Sequence, residues 1–231
     1  MSHFFTVVLV PADTENIEEK VSELLAPYNE NREVEPYETD CWCIGLKARQ
    51  ESREIADEKY RPLDEIRKEF WTDERIKKAL ENPDIFKVTD KEWENFPTRL
   101  EWEHVREQAE KDHLLYQKPN PECQNCGGTG KYITTYNPRA KWDWWVIGGR
   151  YDGRVGSGSA NPNIAPVSVL LEKDVMPFAV VTPNGKWHER GKMGWFGMSF
   201  DNKEENDWTE KVRSIFEKHR DCLAVGCDLH I

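Results

Sequence analysis

No apolar run in this 231-residue chain approaches the roughly 18 to 20 residues that a bilayer-crossing helix requires. The opening segment, MSHFFTVVLVPADTENIEE, has neither the basic n-region nor the small-residue cleavage site of a secretory leader. These absences lead us to expect a protein of the cytoplasm of whatever cell makes it, without a membrane partner. Basic excess is missing too: 32 Lys and Arg face 43 Asp and Glu, a formal charge of −11, which argues against a broadly basic nucleic-acid binder. The sequence also lacks a Ser-His-Asp order, an H-E-x-x-H helix, an EF-hand loop and the G-x4-G-K-[ST] frame, so the corresponding hydrolase, calcium and P-loop readings fall away. What is present is a charged fraction of 32% together with ten tryptophans, a mixture that excludes disorder and reads as a folded acidic protein.

Six cysteines fall in three close pairs, Cys41/Cys43, Cys123/Cys126 and Cys222/Cys227. In a reducing compartment such pairs suggest metal ligation more than disulfides. Cys123-Gln-Asn-Cys126-Gly-Gly-Thr-Gly130 is the sharpest signal, because C-x-x-C lets two thiolates reach one tetrahedral ion while the glycines permit a knuckle turn. The natural second half is Cys41-Trp42-Cys43, giving a structural Zn2+ on Cys41, Cys43, Cys123 and Cys126. Cys227-Asp-Leu-His230 offers a rival C-x2-H half, and ordinary reduced thiols remain the third reading.

The element pattern is read from periodicity. HFFTVVLV (3–10) is a strand buried on both faces, and Ile17, Val21, Leu24 and Leu25 line an amphipathic helix. Trp142 to Gly149 reads as a strand, and Phe178 to Arg190 as a hairpin folding at Asn184-Gly185 in a type I′ turn. Trp208, Val212, Ile215 and Phe216 mark a second helix, and Cys222 to Ile231 alternates as a closing strand. The order β-α-β-β-α-β is the ferredoxin-like split βαβ pattern: an antiparallel sheet with two helices on one face and the other face free. The expectation is one α+β domain over 1–231, its core from about 1–40 and 141–231. Three to five short helices are inserted at about 47–117, and a zinc knuckle at about 118–133 clips the excursion and limits its loop-closure cost. Asp152 to Ser168, rich in Gly, Ser, Asn and Pro, is expected to be a mobile loop.

Chemistry is concentrated in YNPRAKWDWWVIGGRYDG (136–153), where Lys141, Trp142, Trp144 and Arg150 supply charges and aromatic platforms for a nucleotide-like ligand, and Gly148-Gly149 allows close backbone approach. Pure packing of the tryptophans is the competing reading. Asp228 and His230, two apart on the last strand, aim at one face and form the candidate acid–base pair. His188 and Arg190, in the aromatic and glycine cluster 187–197, are placed to line the same pocket.

Taken together, MSHFFTVVLVP, LLAPYNEN, CQNCGGTG, YNPRAKWDWWVIGGRYDG, GKWHERGKMGWFG and the ending CDLHI resemble a family of uncharacterised bacteriophage and prophage proteins carrying a DnaJ-like C-x-x-C-x-G-x-G zinc knuckle. The resemblance implies a phage accessory setting and a metal site; it carries over no catalytic residue. The function expected is that of an accessory protein that binds and modulates a host protein, such as a defence component, through an acidic, aromatic-rich surface. The alternative is sequestration or processing of a nucleotide-like ligand in a pocket on the open sheet face. Direct nucleic-acid binding ranks last, and whether any bond is broken stays open.

Overall fold

Consecutive apolar residues from His3 to Val10 demand cover on both sides of a strand, and the structure, a computed structural model, supplies it. It describes residues 2–156, 161–194 and 198–231. The chain opens with β1 (His3–Val10), α1 (Ile17–Leu25) and β2 (Tyr37–Asp40). Five helices follow: α2 (Leu46–Lys59), α3 (Leu63–Phe70), α4 (Asp73–Glu81), α5 (Pro83–Glu94) and α6 (Pro97–Asp112). Next come β3 (Lys131–Thr134), β4 (Trp144–Ile147), β5 (Ile164–Pro166), α7 (Val167–Lys173), β6 (Ala179–Val181) and β7 (Trp187–Glu189). The last elements are β8 (Lys192–Met193), β9 (Ser199–Phe200), α8 (Glu205–Lys218) and β10 (Leu223–His230). They fall into two compact units: unit 1 is the chain up to Glu35 and from Thr135, and unit 2 is Pro36–Thr134. Among the described residues no helix is long and apolar enough to cross a membrane.

Unit 1 is built on a mixed six-stranded sheet in the order β4-β10-β1-β6-β7, with β5 pairing β10 beyond the reach of β4. β1 runs antiparallel to β10 from His3↔His230 to Val10↔Leu223 and parallel to β6 from Thr6↔Ala179 to Val8↔Val181. Phe4, Val8, Val10 and Leu229 pack against Val21, Leu24 and Leu25 of α1. On the opposite face Phe5, Val7 and Leu9 meet Val167 and Leu170 of α7 and Trp208, Val212 and Phe216 of α8. Each of these fully buried side chains contributes about 1.5 to 3 kcal/mol of transfer free energy.

The α+β class is as expected, but the ferredoxin-like arrangement is corrected in two respects. In a split βαβ sheet the second hairpin strand lies beside the first strand, antiparallel to it, and both helices share one face. Here the first hairpin strand, β6, takes that place in parallel, and α1 and α8 lie on opposite faces, so β1 has no open face. The residues explain the choice. Ala179-Val-Val181 is apolar throughout and wholly buried, which suits an interior strand, whereas Trp187-His-Glu189 is amphipathic and half-buried, which suits an edge.

The hairpin turn differs as well. Gly185 N–H donates to the Thr182 carbonyl at 2.8 Å, and Gly185 alone in the turn has positive φ, at +75°. Pro183 therefore occupies the second position of a type I turn followed by a left-handed glycine, since its ring fixes φ near −65° and forbids the expected type I′ geometry. The segment 152–168, expected as a loop, contains β5 and the start of α7; Ala165 and Val167 are anchored in the core beneath α8. Residues 157–160 of that segment and Trp195, Phe196 and Gly197 of the aromatic cluster lie outside the described residues.

Unit 2 holds five helices, within the expected number, and a small antiparallel sheet pairing β2 with β3 from Tyr37↔Thr134 to Asp40↔Lys131. Its helical core gathers Ala56, Ile66 and Trp102. The Trp102 indole N–H donates at 2.8 Å to Asp57, which also accepts the Leu63 N–H at 2.9 Å and so caps the entry to α3.

Candidate functional site

Cys41 and Cys43 follow β2, and Cys123 and Cys126 precede β3, so the β2–β3 ladder brings the two pairs together. All four thiols are free and buried, and their sulfurs lie within 4.8 Å of one another. The Cys41–Cys123 and Cys43–Cys126 sulfurs are 3.7 and 3.6 Å apart. A disulfide would need about 2.05 Å. Four sulfurs at about 2.3 Å from one tetrahedral ion stand about 3.8 Å from each other, so the donor set fits a thiophilic metal.

The surroundings already favour negative sulfur at some of these positions. Burial pushes the Cys126 thiol up, but the Gly130 N–H at 3.4 Å, the thiols of Cys43 and Cys123 and the Gly128 N–H bring it to about 6. Cys41 is also held below the ordinary thiol value, by the Cys43 N–H and then by the Asn125 amide at 3.6 Å working against burial. Burial pushes Cys43 up to about 12. Gly128 is required by the knuckle: its φ is +83°, and a Cβ there would stand 2.8 Å from the Pro121 carbonyl oxygen. The rival ligand pair is excluded by the strand. Cys227 points into the α1-side core while His230 is on the other face of β10, so they cannot share an ion.

Asp228 and His230 do share a face, yet they do not bond to each other. Asp228 is buried and accepts from His3 Nδ1–H at 2.9 Å and from the Arg150 backbone N–H at 3.0 Å. His230 Nδ1–H donates instead to Asp143 at 2.6 Å. An ionised carboxylate only accepts, which fixes both imidazoles as Nδ1 donors. The His3 and His230 ring centres are 4.9 Å apart, and half-exposed Trp144 stands edge-on to His3 at 6.1 Å. Residue spacing alone concealed His3 and Asp143, because their placement follows from the β1–β10 register and from the Asp143 N–H bond to the His230 carbonyl.

The other candidates separate. Trp142 is a packing residue, buried with its indole N–H on the Leu25 carbonyl at 3.1 Å. Arg150 is exposed, and its contribution to this cluster is the backbone bond to Asp228. Gly149 serves the same carboxylate, since a Cβ there would meet the Asp228 side chain at 2.6 Å. The close approach that its lack of a side chain permits is thus taken by a residue of the chain itself.

Lys141 belongs to a different place in unit 1, a groove of about 480 Å³ beside β7 and α8. Arg139, Lys141, Lys186, Lys203 and Lys211 line it against the single carboxylate of Glu189. Glu189 binds Lys141 at 2.6 Å and the Trp187 indole at 2.8 Å, and the Arg139 guanidinium lies over the Tyr28 ring. His188 reports the resulting field: burial, then Lys211, Lys186, Lys203 and His219, hold its imidazole below the ordinary value. An adjoining hollow adds Lys218. Sequence reading missed the groove because its cations are scattered from 139 to 211 in a chain whose total charge is negative. Comparison with protein-family models, with curated proteins and with solved structures returns no match.

Proposed function

We propose that unit 1 binds a small phosphate-bearing, nucleotide-like ligand in the basic groove, and that unit 2 is organised by a structural zinc on its four thiolates. The observation that carries the ligand reading is the convergence of five cations on one carboxylate in a chain of net charge −11. A random share of the surface would be acidic, so the inversion of sign marks a place selected for anions. Tyr28 and Trp187 supply aromatic surface beside the charges, and the volume suits a mononucleotide. In the phage accessory setting implied by the motif resemblance, such binding amounts to ligand sequestration. Calorimetry with ATP tests it: Lys186→Glu/Lys211→Glu should weaken binding at least tenfold, and wild-type protein that takes up no ATP at millimolar concentration refutes the reading.

The host-protein reading draws on a separate observation. Ile76, Leu80, Ile85, Phe86 and Val88, on α4 and α5, are all exposed, and an apolar set of this kind is the usual mark of a protein contact. Leu80→Glu/Val88→Glu should then abolish co-purification of a host protein while leaving the helical circular dichroism intact; unchanged capture would count against it.

A further inference from the structure

Two carboxylate–imidazole pairs stand side by side where β1, β4 and β10 end, His3 with Asp228 and His230 with Asp143. Each imidazole gives its Nδ1 proton to a carboxylate, which orients the ring and leaves Nε2 for proton exchange. Among the described residues no hydrogen bond engages Nε2 of either ring. Both side chains remain in partial contact with solvent, His3 at 15% and His230 at 14%. His3 also lines a cavity of about 270 Å³ that Arg154 and Arg190 share. Among the described residues the buried Arg190 Nε has no hydrogen-bond partner, and the Arg154 guanidinium lies over the rings of Tyr151 and Phe5. A buried guanidinium N–H without an acceptor is costly unless an anion supplies one.

We propose that His3 and His230 act as general base and general acid in the hydrolysis of a phosphodiester whose phosphate is held by Arg154 and Arg190. The inference rests on the phosphate-bearing ligand class proposed above, but on other residues. His3 Nε2 takes a proton from water as that oxygen bonds to phosphorus. The phosphorus–oxygen ester bond breaks with its electron pair on the departing oxygen, which receives the Nε2 proton of the His230 imidazolium. One water is consumed, an alcohol and a phosphomonoester leave, and the two rings reset by proton exchange through solvent. Asp228 and Asp143 are positioning residues.

The test uses the full chain and two probes, the dinucleotide TpT and bis(4-nitrophenyl) phosphate. An alkoxide leaving group needs a proton and nitrophenolate hardly does, so the two esters separate the roles. His3→Gln should slow both by on the order of 10²- to 10³-fold, and His230→Gln should slow TpT by as much but the nitrophenyl ester less than tenfold. Free imidazole should restore part of the rate to His3→Gly, which a structural defect would not allow. Asp143→Asn should lower the TpT rate, with Asp143→Glu recovering part of it. Unchanged thermal unfolding certifies the folding of each variant. ATP binding without turnover of either ester overturns the catalytic inference and leaves the ligand class standing, whereas loss of both sinks the ligand reading as well. Equal slowing of both esters by His230→Gln overturns the general-acid assignment.

Discussion

The carboxylate of Asp228 is bonded at 2.9 Å to His3 across the β1–β10 ladder, and not to His230 two residues along its own strand. Two acceptor sites of one buried group are thus in use, by His3 and by the Arg150 N–H, while Asp143 is 32% exposed and serves a single imidazole. Asp228→Ala should therefore cost about 2 to 4 kcal/mol, because it removes a buried acceptor shared by two part-buried donors, and Asp143→Ala no more than about 1 kcal/mol. Urea unfolding of the two variants checks the order; equal costs would contradict the burial argument.

Chain freshly purified without chelators is expected to carry one metal ion bound by thiolate. Cobalt substitution should give sulfur-to-metal charge transfer and the absorption of a tetrahedral site, both lost in Cys43→Ser or Cys126→Ser. Removing the ion with a strong chelator should lower the unfolding temperature by on the order of 10 °C or more. Acid should release it, since ligand sulfurs must be deprotonated to bind.

His188 predicts a pH effect whose sign is fixed by its surroundings. Its imidazole is held below the ordinary value, so the unfolded chain takes up the proton first, and the residue costs stability as pH falls below about 6.5. A phosphate bound among Lys186, Lys203 and Lys211 would offset the lysine field beside Glu189 and His219, raising the His188 value. Titration of its ring protons by NMR with and without ATP should show that upward movement; a downward one would place the anion elsewhere.

Gly149→Ala should destabilise unit 1 by about 1 to 3 kcal/mol, since alanine would have to adopt φ +57° with its Cβ against the Asp228 carboxylate. Gly153→Ala has nothing within 4 Å of the added Cβ and carries only the cost of its positive φ, so the difference between the two reads the contact itself. Chemical denaturation of both variants supplies the comparison.

Some of this was legible in the residues. C-x-x-C with its glycines named half of the sulfur cluster, and C-x-C named the other half, because ligand spacing is local chemistry. The run HFFTVVLV also stated that both faces of β1 need cover, which already conflicts with an open ferredoxin-like face. The element order concealed the conflict, since the same order serves two strand arrangements and only the apolarity of Ala179-Val-Val181 against Trp187-His-Glu189 decides between them. His3 and Asp143 were not legible as partners of Asp228 and His230, because their distances depend on inter-strand register, which no local pattern encodes. Trp142 and Trp144 illustrate the same limit: adjacent in motif and alike in chemistry, one is a buried brace and the other half-exposed.

The sign inversion at the groove also bears on what can reach it. With cations gathered beside β7 and α8, the rest of the chain must be more negative than the −11 of the whole. A short anion no longer than the Debye length, about 8 Å in physiological salt, meets mainly the local attraction. A long strand of nucleic acid would extend past the groove into repulsion along its remaining phosphates. If the groove takes a mononucleotide as proposed, the same charge pattern would act as a length filter, rejecting polymers without any steric gate.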